Sequence, residues 1–292
     1  MIKTIMPELP EVETIRRDLV DGMVGKRITT VVLDKSKVIR GKMKDVKKSL
    51  TGARIRSIDR IGKLLMIELD HGEHLLFHLK MTGQLFLHNK NGGMTRGGHS
   101  LSEAVDSTLP NKYTHAVLTI ENGAALYFND MRLFAFLQIV DDAKKSAIVA
   151  TYGIEPLTKQ FTFENFHRVF KGRKTSVKAV LLNQSRIAGI GNIYADEICF
   201  AARVRPQRSA STLKKSELLA LFQATEKVIA MAIEKRGTTF NSYIDGQGKK
   251  GSYLKELKVY GRQGEECLCC GTPLKKIRTA GRGTVFCPAC QR

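Results

Sequence analysis

No uninterrupted apolar run of transmembrane length occurs in the 292 residues, and the first residues lack the long apolar stretch of a secretory signal. The sequence therefore points away from a helical membrane protein and towards a cytoplasmic one. Cysteine is scarce as well: there are six, and five of them lie between Cys267 and Cys290. Such clustering does not suit an oxidised secreted framework and points instead to a metal site in a reducing compartment. Acidic side chains are in deficit, 28 against 48 lysines and arginines, for a formal net charge of +20. That excess is more than solubility requires. It calls for a polyanionic partner, DNA or RNA ahead of an anionic membrane surface. No internal repeat is evident.

A chain of this length can bury a substantial core and is expected to form more than one domain. The first half reads as β: segments 27–33, 54–61, 63–69, 74–79, 116–120, 124–129 and 134–140 alternate or carry β-branched runs. Many short strands with turn residues between them predict a sandwich or barrel. Residues 89–112, rich in Gly, Asn, Ser and Thr, predict a long mobile loop. Near 151–158 the period changes from two to helical, with helices predicted over 162–171, 177–183, 192–202 and 214–235. The last carries Leu218, Leu219, Phe222, Ile229, Ala232 and Ile233 at helical spacing, most simply core, and stops at Gly237.

Cys267, Cys270, Cys287 and Cys290 form two C-x2-C knuckles, the donor set of one tetrahedral zinc ion on a small β-hairpin. Four thiolates leave no open coordination position, so the metal is structural. Cys269 falls between two ligands as a spare thiol, and Cys199 reads as a small buried hydrophobe. Lys275, Lys276, Arg278 and Arg282 give the hairpin a basic tip suited to nucleic acid. Upstream, Gly189-Ile190-Gly191-Asn192 opens onto a helix, whose free amides beside Asn192 can hold a phosphate oxygen. Taken alone, an ordinary tight turn between packed helices is the simpler reading, because short Gly-x-Gly matches are weak. Arg173, Lys174 and Lys178 add positive charge to that region.

The run Pro7-Glu8-Leu9-Pro10-Glu11-Val12-Glu13-Thr14 also has two readings. It is a helix start, with Pro10 at the first helical position, acids in the first turn, and Val12, Ile15 and Leu19 on one face. It also holds a latent nucleophile: a proline at a mature N-terminus carries a secondary amine able to form an imine at a sugar carbon. An α-amino group titrates near pH 8, so a useful fraction is unprotonated at neutral pH. Glu8 and Glu11 stand beside it as proton handlers.

Taken together, these segments, with Arg60-Ile61-Gly62-Lys63, His78-Leu79-Lys80-Met81-Thr82-Gly83, Asn192-Ile193-Tyr194-Ala195-Asp196-Glu197, Gly281-Arg282-Gly283-Thr284 and Cys287-Pro288-Ala289-Cys290-Gln291, resemble the formamidopyrimidine-DNA glycosylase/endonuclease VIII family from Met6 to Arg292. The Glu-Leu-Pro-Glu-Val-Glu-Thr wording is similar to its formamidopyrimidine branch. The resemblance implies an α+β fold. It has an N-terminal β-sandwich with flanking helices over 6–150, a helix-two-turn-helix domain over 151–245 and a zinc finger over 246–292, with DNA in the cleft between the domains. It implies a monomeric, cytoplasmic, nucleoid-associated enzyme of base excision repair that acts on double-stranded damaged DNA and removes oxidised purines. Pro7 attacks C1′, Glu8 assists proton transfer, Glu11 counts with the catalytic set, and β- then δ-elimination cut the strand. Lys63 holds phosphate and helps proton transfer; Asn192 and Arg282 grip phosphates flanking the lesion, and Arg282 counts with the catalytic set. Met81, Arg132 and Phe134 fill the gap left by the flipped base. Tyr113 and Lys174 complete the DNA-contacting residues.

The chain departs from the family pattern in several places. Asp130-Met131-Arg132-Leu133-Phe134-Ala135 stands where Asp-Pro-Arg-Arg-Phe-Gly is usual. Tyr113 replaces a histidine, with His115 two residues on; Lys80 replaces a glycine; Asn241 occupies a usually basic position. With residues 1–5 attached, Pro7 is an amide, so translation is expected to start at Met6, which is then removed. The departures keep two other readings open. One is a non-catalytic protein that binds damaged DNA; the other is an endonuclease VIII-like preference for oxidised pyrimidines.

Overall fold

The computed structural model describes residues 6–34, 36–90, 94–98, 108–238 and 253–292. The expectations for residues 1–5, for Asn241 and for part of 89–112 lie outside the described residues. Contacts divide the chain into two compact units, 1–150 with 236–254 and 151–235 with 255–292. Among the described residues no helix is long and apolar enough to cross a membrane.

In the first unit, α1 (Leu9–Met23) starts with a proline in its first turn and buries Val12, Ile15, Leu19 and Met23 along one face. Two five-stranded sheets follow. One has the order β1 (Ile28–Leu33), β8 (Thr114–Ile120), β9 (Ala125–Asp130), β6 (Gly83–His88), β7 (Met94–Gly98). The other runs β2 (Ile39–Arg40), β10 (Phe136–Asp141), β5 (Glu73–His78), β4 (Leu64–Leu69), β3 (Ile55–Ile61). Their buried side chains make one core, in which Phe77 of β5 meets Phe128 of β9 edge to face at 5.3 Å between ring centroids. Two short helices, α2 (Met43–Leu50) and α3 (Asp142–Val149), flank the sheets.

Three expectations change in this unit. The strand placed at 134–140 begins only at Phe136, because Asp130 holds residues 131–135 in a loop: Arg132 and Ala135 donate their backbone N–H groups to its carboxylate at 3.2 and 2.7 Å. Within 89–112, residues 94–98 are a strand paired with β6 rather than loop. Strand β6 itself and both short helices escaped the pattern reading. Four consecutive β6 residues, Gln84 to Leu87, are buried, so period-two alternation is absent there.

The second unit contains α4 (Phe163–Phe170), α5 (Val177–Leu182), α6 (Asn192–Ala201) and α7 (Lys215–Glu234), then the hairpin of β11 (Lys275–Thr279) and β12 (Arg282–Phe286). Thr162 and Ser176 cap α4 and α5 by accepting from Asn165 N–H and Ala179 N–H at 3.2 Å each. Phe161 stacks on Phe222 with centroids 5.1 Å apart, and Phe166 and Phe170 extend the aromatic cluster. Leu219 is a correction to the expected core face: it is 41 % exposed, whereas Leu218, Leu221, Val228, Ile229 and Ala232 are buried. Gly153 lets the chain lie against Arg186, whose carbonyl carbon and oxygen would be 2.1 Å from an added Cβ.

Candidate active site and nucleic-acid interface

Pro7 is buried immediately before α1, and Glu8, the N-cap residue, is 2 % exposed. Glu11 in the first turn does not hang free beside them. Its Oε2 accepts the Glu8 N–H at 2.9 Å, while its Oε1 accepts the N–H and hydroxyl of Thr238 at 2.7 and 3.0 Å. One carboxylate thereby fixes the segment carrying Pro7 and Glu8 and ties it to residues 237–238. Gly237 suits this approach, with a φ of 79° and Glu11 Oε1 only 2.6 Å from where a Cβ would stand. Farther along α1, Asp18 receives Arg236 Nη2 at 2.6 and 2.7 Å.

Lys63 lies in the turn between β3 and β4, where Gly62 adopts a φ of 56° and Ile61 pairs with Leu64. Its side chain is buried, 5 % exposed, not splayed into solvent. What orients this hairpin on α1 is Glu13, a residue the motif reading passed over. Its Oε2 accepts from Arg60 at 2.9 Å, and Arg16 and Arg17 donate to its Oε1 at 2.9 and 2.8 Å. Burial pushes the Glu13 carboxyl upward, but the hydrogen bonds from Arg16 and Arg17 and the charge of Arg60 outweigh it and hold the group at about 2.

The three residues expected to fill the base gap are brought together. Arg132 lies with its guanidinium carbon 4.7 Å from the Phe134 ring centroid and its Nη1 3.8 Å from Met81 Sδ. Phe134 is 53 % exposed, and its neighbour Met131 is exposed too. An uncovered ring capped by a cation has the form of a wedge between stacked bases. Asp130 supports it from below, because the Thr82 hydroxyl donates to the same carboxylate that holds the loop. This second supporting acid sits in the quoted motif, but only its burial and partners reveal its duty. Tyr113 is half-buried at the start of β8, with Lys112 Nζ 5.2 Å from its ring centroid. His115 is buried, its Nε2 donating to the Asp130 carbonyl at 2.7 Å, so it offers no surface to a ligand.

In the second unit, Asn192 is the first residue of α6 and its Nδ2 donates to the Gly283 carbonyl at 3.1 Å, while its buried Oδ1 has no partner among the described residues. Arg282, next to that carbonyl, is exposed after the Ala280-Gly281 turn, whose φ values are 52° and 71°. The two residues read separately in the sequence thus stand side by side. Gln184 shapes the intervening Gly-Ile-Gly-Asn turn by accepting from Gly189 N–H at 2.9 Å and donating to the Ile190 carbonyl at 2.8 Å. Lys174 is exposed in the loop before α5.

Lys178 requires a correction. It adds no surface charge: it is fully buried and donates to Asp196 Oδ1 at 2.6 Å, Thr284 Oγ1 at 2.8 Å and the Gly283 carbonyl at 3.2 Å. Asp196 also accepts Val285 N–H at 3.0 Å; burial raises its carboxyl to about 6, against the opposing pull of Lys178. Glu197 accepts the N–H groups of Lys258, Val259 and Tyr260 at 2.9, 3.0 and 2.8 Å. Two consecutive acids on α6 therefore anchor the chain entering the hairpin and the hairpin itself.

The Sγ atoms of Cys267, Cys270, Cys287 and Cys290 all lie within 4.8 Å of one another. Zinc–thiolate bonds of about 2.3 Å in a tetrahedron place sulfurs roughly 3.8 Å apart. Here Cys267 and Cys290 are separated by 3.9 Å and Cys270 and Cys287 by 3.5 Å, so the donor set fits one structural zinc ion. Cys269 is exposed and outside the cluster, and Cys199 is buried, its thiol pushed up by burial.

Sequence models of the formamidopyrimidine-DNA glycosylase N-terminal domain, of its H2TH domain and of the zinc finger found in FPG and IleRS match residues 6–137, 152–243 and 264–292. The formamidopyrimidine-DNA glycosylase of Desulfitobacterium hafniense is 40 % identical over 289 residues, covering 98 % of this chain and all of that one. That of Listeria innocua is 38 % identical over 290 residues, with the same shares. A Lactococcus lactis FPG variant crystallised with Fapy-dG-containing DNA matches with a TM-score of 0.85 at 30 % identity, over 98 % of this chain and 100 % of that chain. The Lactococcus lactis Fpg complex with abasic-site DNA gives a TM-score of 0.85 at 30 % identity, over 98 % and 99 % of the two chains.

Proposed function

Because this chain belongs to the formamidopyrimidine-DNA glycosylase family, we propose that it is a bifunctional DNA glycosylase and abasic-site lyase of base excision repair, acting on oxidised purines in duplex DNA. The observation that carries this reading is the placement of Pro7 directly beside the buried acid Glu8, with that segment held by Glu11. A nucleotide flipped from the stack presents C1′ to the Pro7 amine. The Pro7 nitrogen replaces the base nitrogen at C1′, and Glu8 supplies a proton to O4′ as the C1′–O4′ bond opens, which leaves a ring-opened iminium between C1′ and Pro7. Loss of the proton at C2′ expels the 3′ phosphate, and a second elimination expels the 5′ phosphate. Lys63 holds phosphate and assists proton transfer, and Arg282 and Asn192 fix the flanking phosphates through charge and helix-terminal amides.

Met81, Arg132 and Phe134 occupy the gap opened by the flipped nucleotide, while Tyr113 and Lys174 add contacts to the strand. The zinc finger serves binding alone, since its four thiolates leave no place for substrate. The functional divisions are 6–150, 151–245 and 246–292, and the enzyme acts as a cytoplasmic monomer.

Imine chemistry requires Pro7 as the first residue of the mature chain. Borohydride reduction on an 8-oxoguanine duplex is expected to trap a covalent adduct, absent from Pro7→Gly. N-terminal sequencing of the active protein reads the maturation directly, and an intact Met1 on active enzyme sinks the Pro7 mechanism. Lesion binding without an adduct leaves a damage-binding protein, and faster excision of thymine glycol than of 8-oxoguanine reassigns the substrate to oxidised pyrimidines.

A further inference from the structure

Around His78, at the end of β5, the first unit gathers the cations Lys63, Arg40 and Lys80. Register pairs His78 with Leu64, next to Lys63, on one side and with Phe136 on the other. The His78 and Phe136 rings lie 5.7 Å apart, and Arg40 of β2 is laid flat on Phe136 with its guanidinium carbon 3.5 Å from the ring centroid. Lys80 closes the group. Its backbone N–H donates to His78 Nδ1 at 3.1 Å, which places the imidazole hydrogen on Nε2.

Neither Arg40 nor the Lys80 side chain has an acidic partner among the described residues. Their proximity shows in the proton affinities. Burial and then Arg40 press the Lys80 amine downward, and burial, Lys80, Lys63 and Arg40 together hold His78 at about 3. Lys80 also adopts a φ of 51°, a conformation that glycine takes without strain, so the backbone has no need of a lysine there. A preoriented guanidinium beside an unpaired ammonium suits a tetrahedral oxyanion: the fork supplies two directed donors and the ammonium a point charge.

We propose that Arg40 and Lys80 form a binding site for a backbone phosphate of duplex DNA, separate from the phosphate assigned to Lys63. The site extends the grip along the strand next to the wedge residue Met81. It rests on the reading that this protein binds duplex DNA, but not on the lyase chemistry.

The test is the salt dependence of binding to a duplex bearing a tetrahydrofuran abasic analogue, followed by fluorescence anisotropy from 50 to 200 mM KCl. Each lost phosphate contact reduces the slope of log Kobs against log salt by about 0.9. Lys80→Gly/Arg40→Met is expected to be shallower by about that amount, while Lys80→Arg keeps the wild-type slope. Replacing single phosphates by neutral methylphosphonates should reveal one position at which the wild type loses affinity and the double variant does not. Lys80→Gly suits the backbone, so it carries the salt test alone if Arg40→Met fails to fold. An unchanged slope and an unchanged methylphosphonate profile in a folded variant overturn the site. Borohydride trapping on a duplex of the same sequence bearing 8-oxoguanine separates the two readings. Binding with a steep slope but no adduct retains the phosphate site and removes the proposed enzymology, whereas no duplex binding removes both.

Discussion

Lys178 donates to Asp196 Oδ1 at 2.6 Å with neither side chain exposed to solvent, and the same ammonium reaches Thr284 and Gly283 of the zinc hairpin. The pair joins α5, α6 and β12 through one buried charge. Removing one partner of a buried pair leaves the other uncompensated, a loss of roughly 3–5 kcal/mol. Lys178→Met is therefore expected to destabilise the second unit by that order, and Lys178→Met/Asp196→Asn to recover part of it. Urea unfolding of the two variants, with helix and hairpin followed separately, checks this. Equal stability of Lys178→Met and wild type sinks the strut role.

The zinc site leads to a second expectation. The cluster at the base of the hairpin is small, comprising Phe200, Val259, Cys267, Leu274, Val285 and Cys287, so thiolate–metal bonds supply much of its cohesion. Stripping the metal is expected to raise deuterium uptake over 275–286 while the β3–β4 hairpin stays protected. It also weakens duplex binding, because Asn192 leans on the Gly283 carbonyl and Arg282 sits beside it. A metal-free protein that keeps the hairpin protected contradicts this.

Much of this was legible in the sequence, and the unread parts share a physical reason. Four of the second unit's helices were visible because their apolar residues keep helical spacing, and the cysteine spacing alone announced the metal site. Strand β6 was invisible because Gln84 to Leu87 are all buried, which erases alternation. The assembly of Met81, Arg132 and Phe134 came from the resemblance, since spacing alone makes Met81 and Phe134 core residues. Glu13, Asp130, Asp196 and Lys178 could not be assigned from the chain. Their partners are brought to them by the fold, and a charged residue in a linear sequence does not reveal whether it will be buried. Lys178 shows the cost most directly, as a cation read for the surface that lies wholly inside.

Glu13 is expected to shape the acid limb of the first unit's stability. Its carboxyl lies at about 2 in the folded chain against an ordinary 4.5. A depressed carboxyl contributes its full stability above about pH 4.5, and that contribution is lost as pH falls towards 2. The displacement corresponds to at most roughly 3 kcal/mol. Glu13→Gln is expected to lower stability near neutral pH and to flatten the loss between pH 4.5 and 2. Urea midpoints across that window measure it; a variant with the wild-type acid limb excludes Glu13 as the cause. Because Arg60 is released as well, the turn carrying Lys63 should loosen, visible as faster amide exchange at 61–64.

The wedge separates folding from function most cleanly. Phe134 is 53 % exposed, so Phe134→Ala should change unfolding free energy by no more than about 0.5 kcal/mol. On the proposed role, the same ring stands in for a lost stacking neighbour in the DNA complex, a contact worth about 1–3 kcal/mol for an aromatic against a base. Excision from a duplex is therefore expected to fall about 5- to 150-fold, the range to which that free energy corresponds. On a single-stranded abasic substrate, where no stack has to be opened, trapping should change far less. Arg132→Ala should behave similarly, and its effect should vary with the base opposite the lesion if its guanidinium reaches that base. Equal losses on duplex and single strand would place Phe134 in the catalytic pocket rather than in the gap.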